Sequence, residues 1–248
     1  MKTGEHRHAR EGAGAVSPRV TRSFADHLSA IARLRGASRL RLEHPMTARL
    51  LGDARLGTLS QQYSRWLRSN GRQPAAEPAF SRFLRQLRSS DRADLADLAA
   101  LEEARSDVAL EPTPRPIARD ALAGLAFGPF LASRLEFVSA LRVLILGHDA
   151  MALWRRVSAG LPPDPPDPMP TVAVVWQSGP DVLHARLDFD EGLALETALA
   201  GDSLVHVCAA FGRSEDPAQT AFATLSSWFE EGWISAVLPP SGTVGSAA

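Results

Sequence analysis

Six prolines fall within the ten residues from Leu161 to Pro170. Proline fixes φ and removes a backbone donor, so this stretch is expected to be extended and fairly stiff, a semi-rigid spacer. The hydrophobic period changes across it. Before it, apolar residues recur every three to four positions. After it, Thr171 to Trp176 reads as a strand by composition and Val182 to Leu187 as a second one. The chain is therefore expected to be mainly α: an N-terminal helical bundle followed by a small α+β module, a β-hairpin plus about three helices. The size of that module is winged-helix-like.

The helical portion carries four apolar stripes. These are Phe24, Leu28, Ile31 and Leu34; Leu56, Leu59, Tyr63, Trp66 and Leu67; Phe80, Phe83, Leu84 and Leu87; and Leu95, Leu98 and Leu101. Turn signals separate them at His44-Pro45, Gly52-Asp53, Ser69-Asn70-Gly71 and Ser89-Ser90-Asp91. Glu77-Pro78 fits a helix start, with proline in the first turn. A short helix over Arg119 to Leu125 follows the prolines at 112, 114 and 116. Leu135 to Leu146 is β-branched and apolar enough for a strand, and a buried helix fits nearly as well. Asp149 to Val157 reads as a helix capped by Asp149. Beyond the hairpin, helices are expected near 190–200, 203–211 and 217–231, the last capped by Asp216 with Pro217 at its first position. Trp233 to Leu238 adds a final strand. The resulting division is a disordered tail at 1–18, a helical domain at 19–110, a connecting segment at 111–160, the linker at 161–170, the α+β module at 171–239 and a tail at 240–248.

The 248 residues are 45% hydrophobic and 22% charged, ordinary for a globular chain with a real core. Cys208 is the sole cysteine, which excludes an intramolecular disulfide, and its apolar neighbours mark it as a small buried hydrophobe. The first fifteen residues hold no apolar signal segment. Leu125 to Leu146 is interrupted by Arg134, Glu136 and Arg142, each costing about 2.5–3.5 kcal/mol at a bilayer centre, so it is not a membrane span. A cytoplasmic location follows.

The formal net charge of −1 hides an asymmetry: residues 1–92 carry net +11 and residues 93–248 net −12. Such a split points to an electrostatic partner for one half, or to mutual attraction of two surfaces. The carboxylates Asp94, Asp97, Glu102, Glu103 and Asp107 lie on or near one helix, where a solvated face is the expectation and an acidic docking face the alternative.

Catalytic signatures are absent. There is no Gly-x-Ser-x-Gly elbow, no phosphate-binding glycine loop, no His-Glu-x-x-His and no paired Cys-x-x-Cys. The histidines are singly placed, apart from His6 and His8 in the polar tail. A non-enzyme with no cofactor and no metal site is expected.

The order of several motifs carries a resemblance. His44-Pro45-Met46-Thr47-Ala48-Arg49-Leu50-Leu51-Gly52-Asp53 is followed by a helix ending in Tyr63. Then come Ala79-Phe80-Ser81-Arg82-Phe83-Leu84, the segment from Leu95 to Arg105, and Leu153-Trp154-Arg155. This order resembles the HvfC/BufC-type family, whose N-terminal region is catalogued as a candidate DNA-binding domain; the likeness covers roughly residues 20–240. His44 stands where the family has an aromatic, and Glu103 where it often has tryptophan.

The resemblance implies a non-catalytic partner protein that binds a ribosomally made precursor peptide, its iron-containing modifying enzyme, or both, with the iron in the enzyme. An extended peptide could add to an edge strand, for which Thr171 to Trp176, with Val172, Val174 and Trp176, is the candidate. Trp154 and Arg155 are candidate anchors for the enzyme. The alternative is DNA binding through the arginine-rich half, with Arg33, Arg35, Arg39, Arg41, Arg65 and Arg68 neutralising phosphates.

Overall fold

A computed structural model describes residues 34–70, 80–87, 93–118, 127–162, 164 and 166–240. The expected helix starts at Glu77-Pro78 and over 119–125, and Arg33, lie outside these residues. The described chain is mainly helical, with two small antiparallel sheets. Its helices are α1 (described over residues 34–43), α2 (Pro45–Ser69), α3 (Phe80–Gln86), α4 (Asp94–Leu110), α5 (Phe127–Ala132), α6 (Ala150–Ser158), α7 (Phe189–Leu199), α8 (Leu204–Ala209) and α9 (Pro217–Glu230). Its strands are β1 (Arg134–Phe137), β2 (Leu141–His148), β3 (Pro168–Ser178), β4 (Asp181–Leu187) and β5 (Ile234–Leu238). Among the described residues, no helix is long and apolar enough to cross a membrane.

Local signals explain several boundaries. Asp149 Oδ1 accepts from the Ala152 N–H at 2.8 Å and starts α6, and Asp216 Oδ1 accepts from the Gln219 N–H at 3.0 Å and starts α9. Gly52 takes φ 68° and breaks α2 into two segments, as the Gly52-Asp53 signal anticipates. Leu135 to Leu146 forms two strands: the chain bends at Ser139 and Ala140, so β1 pairs with β5 while β2 joins the other sheet.

The three-stranded sheet has the order β2-β3-β4, antiparallel throughout. Residues 161–167 therefore connect two paired strands after α6, while Pro168 to Pro170 already belong to the central strand β3, with Pro168 opposite His148 and Val174 opposite Val143. One face of this sheet presents Leu141, Val174, Trp176 and Leu187 to α7, α8 and α9, around the fully buried Trp228. The opposite face presents Leu146, Ala173 and Val175 to α4 and α6. Gly192 lets α7 lie directly on β3; a Cβ there would sit 3.0–3.2 Å from the Val172 side chain.

Helix α4 is the pivot. Leu95, Ala96, Leu98, Ala99, Ala100, Leu101, Ala104 and Val108 are all buried, so it is apolar around most of its circumference. One side joins the core of α1, α2 and α3, and another joins the sheet. The expected solvated acidic face is corrected here. Glu102 is 2% exposed and accepts from the Met46 N–H at 2.6 Å, the Thr47 N–H at 3.1 Å and Thr47 Oγ1 at 2.6 Å. It thus caps the N-terminus of α2, which its own residue His44 does not. Glu103 does the same for α3 through the Ser81 N–H at 3.0 Å and Ser81 Oγ at 2.6 Å. Asp97 accepts from the Gly147 N–H at 3.0 Å and from His148 Nδ1 at 2.8 Å, which ties down the end of β2. Three acids on one helix satisfy donors on three other elements, and this is why they tolerate burial.

Candidate functional site

Strand β3, the expected peptide-binding edge, is the middle of its sheet. Val172, Val174 and Trp176 pair with Leu187, Ala185 and Leu183 on one side, while Ile145, Val143 and Leu141 lie opposite them on the other. Val174 and Trp176 are buried in the core, and only Val172 is partly exposed. From Val172 to Trp176, β3 is paired on both sides and offers no open edge to a peptide, because β2 from before the prolines has taken the position.

The open edges belong to β2 and β4. The Gln177 N–H donates to the Ala140 carbonyl at 3.1 Å, and the register carries this alternation onward. Arg142, Leu144 and Leu146 thus turn their main-chain groups toward β3, and Val143 and Ile145 turn theirs outward. This outward stretch is short. At one end the Arg142 guanidinium, held by Glu111 at 2.6 Å, donates to the Leu141 carbonyl at 2.9 Å; at the other, Asp97 takes the Gly147 N–H.

Two grooves flank this edge. On one side a groove of about 480 Å³ runs between the sheet and α7, lined by Val143, Ile145, Val172, Phe189, Leu193 and Leu199 among others. Ile145 is 74% exposed and Phe189 72%, large values for apolar side chains in one patch. On the other side a smaller groove of about 320 Å³ is lined by Ser81, Arg85, Glu103, Asp107 and Arg142. A strand laid against Val143 and Ile145 would send alternate side chains into an apolar groove and a charged one.

Trp154 and Arg155 come together on α6, on the sheet face opposite the apolar groove. Trp154 is half-buried: the Arg105 guanidinium lies over its ring at 4.9 Å and His184 meets it edge-on at 5.5 Å. Burial first, then the charges of Arg105 and Arg155, push the His184 pKa down to about 4. The ring is therefore neutral, and its Nδ1 accepts from Arg105 Nη1 at 2.8 Å.

Of the arginines expected to meet DNA, Arg39 pairs with Glu43 and Arg41 with Asp53. Arg35 is exposed on α1, and Arg65 and Arg68 are exposed near the end of α2.

His44, 4% exposed, lies 3.9 Å from Glu102 and 3.8 Å from Glu103, beyond hydrogen-bonding reach, and its Nδ1 has no partner. Burial pushes its pKa down to about 4 and pushes the Glu102 pKa up to about 7, in the latter case against the hydrogen bonds from Thr47 and Met46. Neither residue lines either groove, so their unusual titration bears on stability rather than on a bound substrate. Among the described residues, no group of three or more His, Cys, Asp or Glu could hold a metal ion.

The sequence reading missed Val143, Ile145, Phe189 and Leu193. One signal was present: Phe189 is a lone aromatic between Asp188 and Asp190 at a helix start, where burial is hard to arrange. No family model matches the chain, and no curated protein matches it.

Proposed function

We propose that this chain is a non-catalytic partner protein that holds an extended segment of a ribosomally made precursor peptide for an iron-dependent modifying enzyme, as in the HvfC/BufC-type family it resembles. The observation that carries the reading is the open edge at Val143 and Ile145 beside exposed Ile145, Phe189 and Leu193. The hairpin with α7, α8 and α9 serves as a winged-helix-like recognition module, its sheet completed by β2, and the helices before residue 110 form the bundle that steadies it. Four main-chain groups supply only about 0.5–1.5 kcal/mol net per hydrogen bond, so affinity comes chiefly from apolar side chains entering the groove. The peptide chemistry that fits has apolar residues at alternate positions.

Co-expression with an iron-dependent enzyme and a small Cys-rich precursor encoded beside the gene tests this. Co-elution of the three, with the precursor lost in Ile145→Lys at unchanged thermal stability, is the expected result. Separate elution with and without precursor refutes the reading. So does tight binding of duplex DNA that weakens steeply between 50 and 200 mM salt while precursor is ignored.

A further inference from the structure

The corner formed by α4, α6 and the outer edge of β4 gathers three arginines, Arg105, Arg155 and Arg186. Arg105 is a half-buried guanidinium, desolvated enough that burial lowers its pKa. Its fork is already oriented: the plane rests on Trp154 at 4.9 Å and one Nη is bonded to neutral His184 at 2.8 Å. Arg155 is close enough to act electrostatically on the same imidazole. Arg186 lies two positions along β4 from His184, on the same sheet face, and is exposed. Among the described residues, none of these three arginines meets a carboxylate. Arg39, Arg41, Arg85 and Arg142 each do. A half-buried cation with free donors and no anion is costly unless something supplies the anion.

The backbone beside it identifies the occupant. The β3–β4 register closes on the two-residue turn between Ser178 and Asp181, so Val182, His184 and Arg186 direct their main-chain groups away from β3. A strand added there sets side chains opposite His184 and Arg186 on the face that Arg105 and Arg155 share. We propose that this corner binds an acidic, extended peptide segment of a protein partner, whose alternate Asp or Glu carboxylates are taken by Arg105, Arg155 and Arg186. Arg105 is the specific element, because a planar, pre-oriented fork takes a carboxylate in two parallel hydrogen bonds. This site lies on the opposite sheet face and the opposite sheet edge from the apolar groove. It stands whether or not a precursor peptide occupies that groove.

The test uses the full chain and a fluorescein-labelled eight-residue peptide alternating Glu and Thr, read by anisotropy at low salt. The Glu/Thr peptide should bind and the matching Lys/Thr peptide should not. Arg105→Gln should weaken binding about tenfold or more, as expected for removing one partner of a desolvated, hydrogen-bonded charge pair. Because Arg105→Gln also disturbs the Trp154 contact, exposed Arg155→Glu serves as the second variant, with the same direction of effect at unchanged melting temperature. Ile145→Lys, on the far edge, should leave binding unaltered, which separates this site from the apolar groove between the sheet and α7. Equal binding of both peptides, no binding of either, or full affinity in both arginine variants overturns the proposal. So does free glutamate competing as well, carboxylate for carboxylate, as the peptide, or preferential capture of duplex DNA.

Discussion

Replacing His44 by phenylalanine should change how stability depends on pH more than it changes stability itself. His44 and Glu102 are buried side by side, and their titrations act in opposite directions. The unfolded chain protonates His44 as pH falls through 6.5, whereas the folded chain does so only near pH 4. Stability from neutral His44 is therefore complete above pH 6.5 and is lost as pH falls toward 4. Glu102 has a folded pKa of about 7 against 4.5 unfolded. Its contribution is complete below pH 4.5 and is lost as pH rises through 7. Each shift corresponds to about 3 kcal/mol, at about 1.4 kcal/mol per pKa unit. Between pH 4.5 and 6.5 the two slopes nearly cancel in the natural chain. His44→Phe removes the rising one and leaves the falling one. Phenylalanine keeps the ring contact with Phe80, now 5.2 Å between centroids, and removes the unpartnered Nδ1. Urea unfolding at pH 4.5, 5.5, 6.5 and 7.5, with ΔG of the natural chain subtracted, isolates the effect, because His184 and Glu103 titrate in both proteins. The difference should favour the variant most at pH 4.5 and fall by about 2–3 kcal/mol by pH 6.5. A difference that stays level within about 0.5 kcal/mol would mean that His44 is not held neutral by burial, and would refute the reasoning.

Asp97→Ala leaves the Gly147 N–H and His148 Nδ1 without their acceptor, and should cost about 2–3 kcal/mol in urea unfolding at pH 7. Asp149→Ala removes the cap of α6 and should cost about 1 kcal/mol in the same assay, with little change in the m-value. Gly192→Val forces α7 off Val172; a loss of about 1–3 kcal/mol is expected from overpacking, together with weaker binding of any ligand of the apolar groove.

Much of the helical architecture was legible because its cause is local. The stripes at Leu56 to Leu67 and Phe80 to Leu84, and the caps at Asp149 and Asp216, act over a few residues, and periodicity reports them directly. The β3–β4 hairpin was legible for the same reason, since two residues close it. The pairing of β2 with β3 was not. Nothing in Leu141 to Leu146 names a partner beyond the prolines, and that one pairing moves the open edge from Val172 and Val174 to Val143 and Ile145. The acids of α4 misled for a related reason. Charge in a helix normally means water, but Glu102 and Glu103 face the bare N–H groups of helix starts many residues away. A hint was available: none of Asp94, Asp97, Glu102, Glu103 and Asp107 has an arginine or lysine four residues on, the pairing a solvated helix face commonly shows.

The proline stretch between α6 and β3 has a consequence for synthesis. A ribosome releases β2 well before β3 exists, and among the described residues β2 pairs with no other strand. Until then the apolar run from Leu141 to Leu146 is a lone strand with two open edges, a template for pairing with another nascent chain. The prolines that follow supply no N–H donors and meet β2 only where Pro168 lies opposite His148, so Leu141 to Leu146 wait for Thr171 to Trp176. A chain stopped at residue 160, at what looks from composition like a natural end, would keep that exposure permanently. It should collect as aggregate, whereas the chain carried through Leu187 can bury the strand.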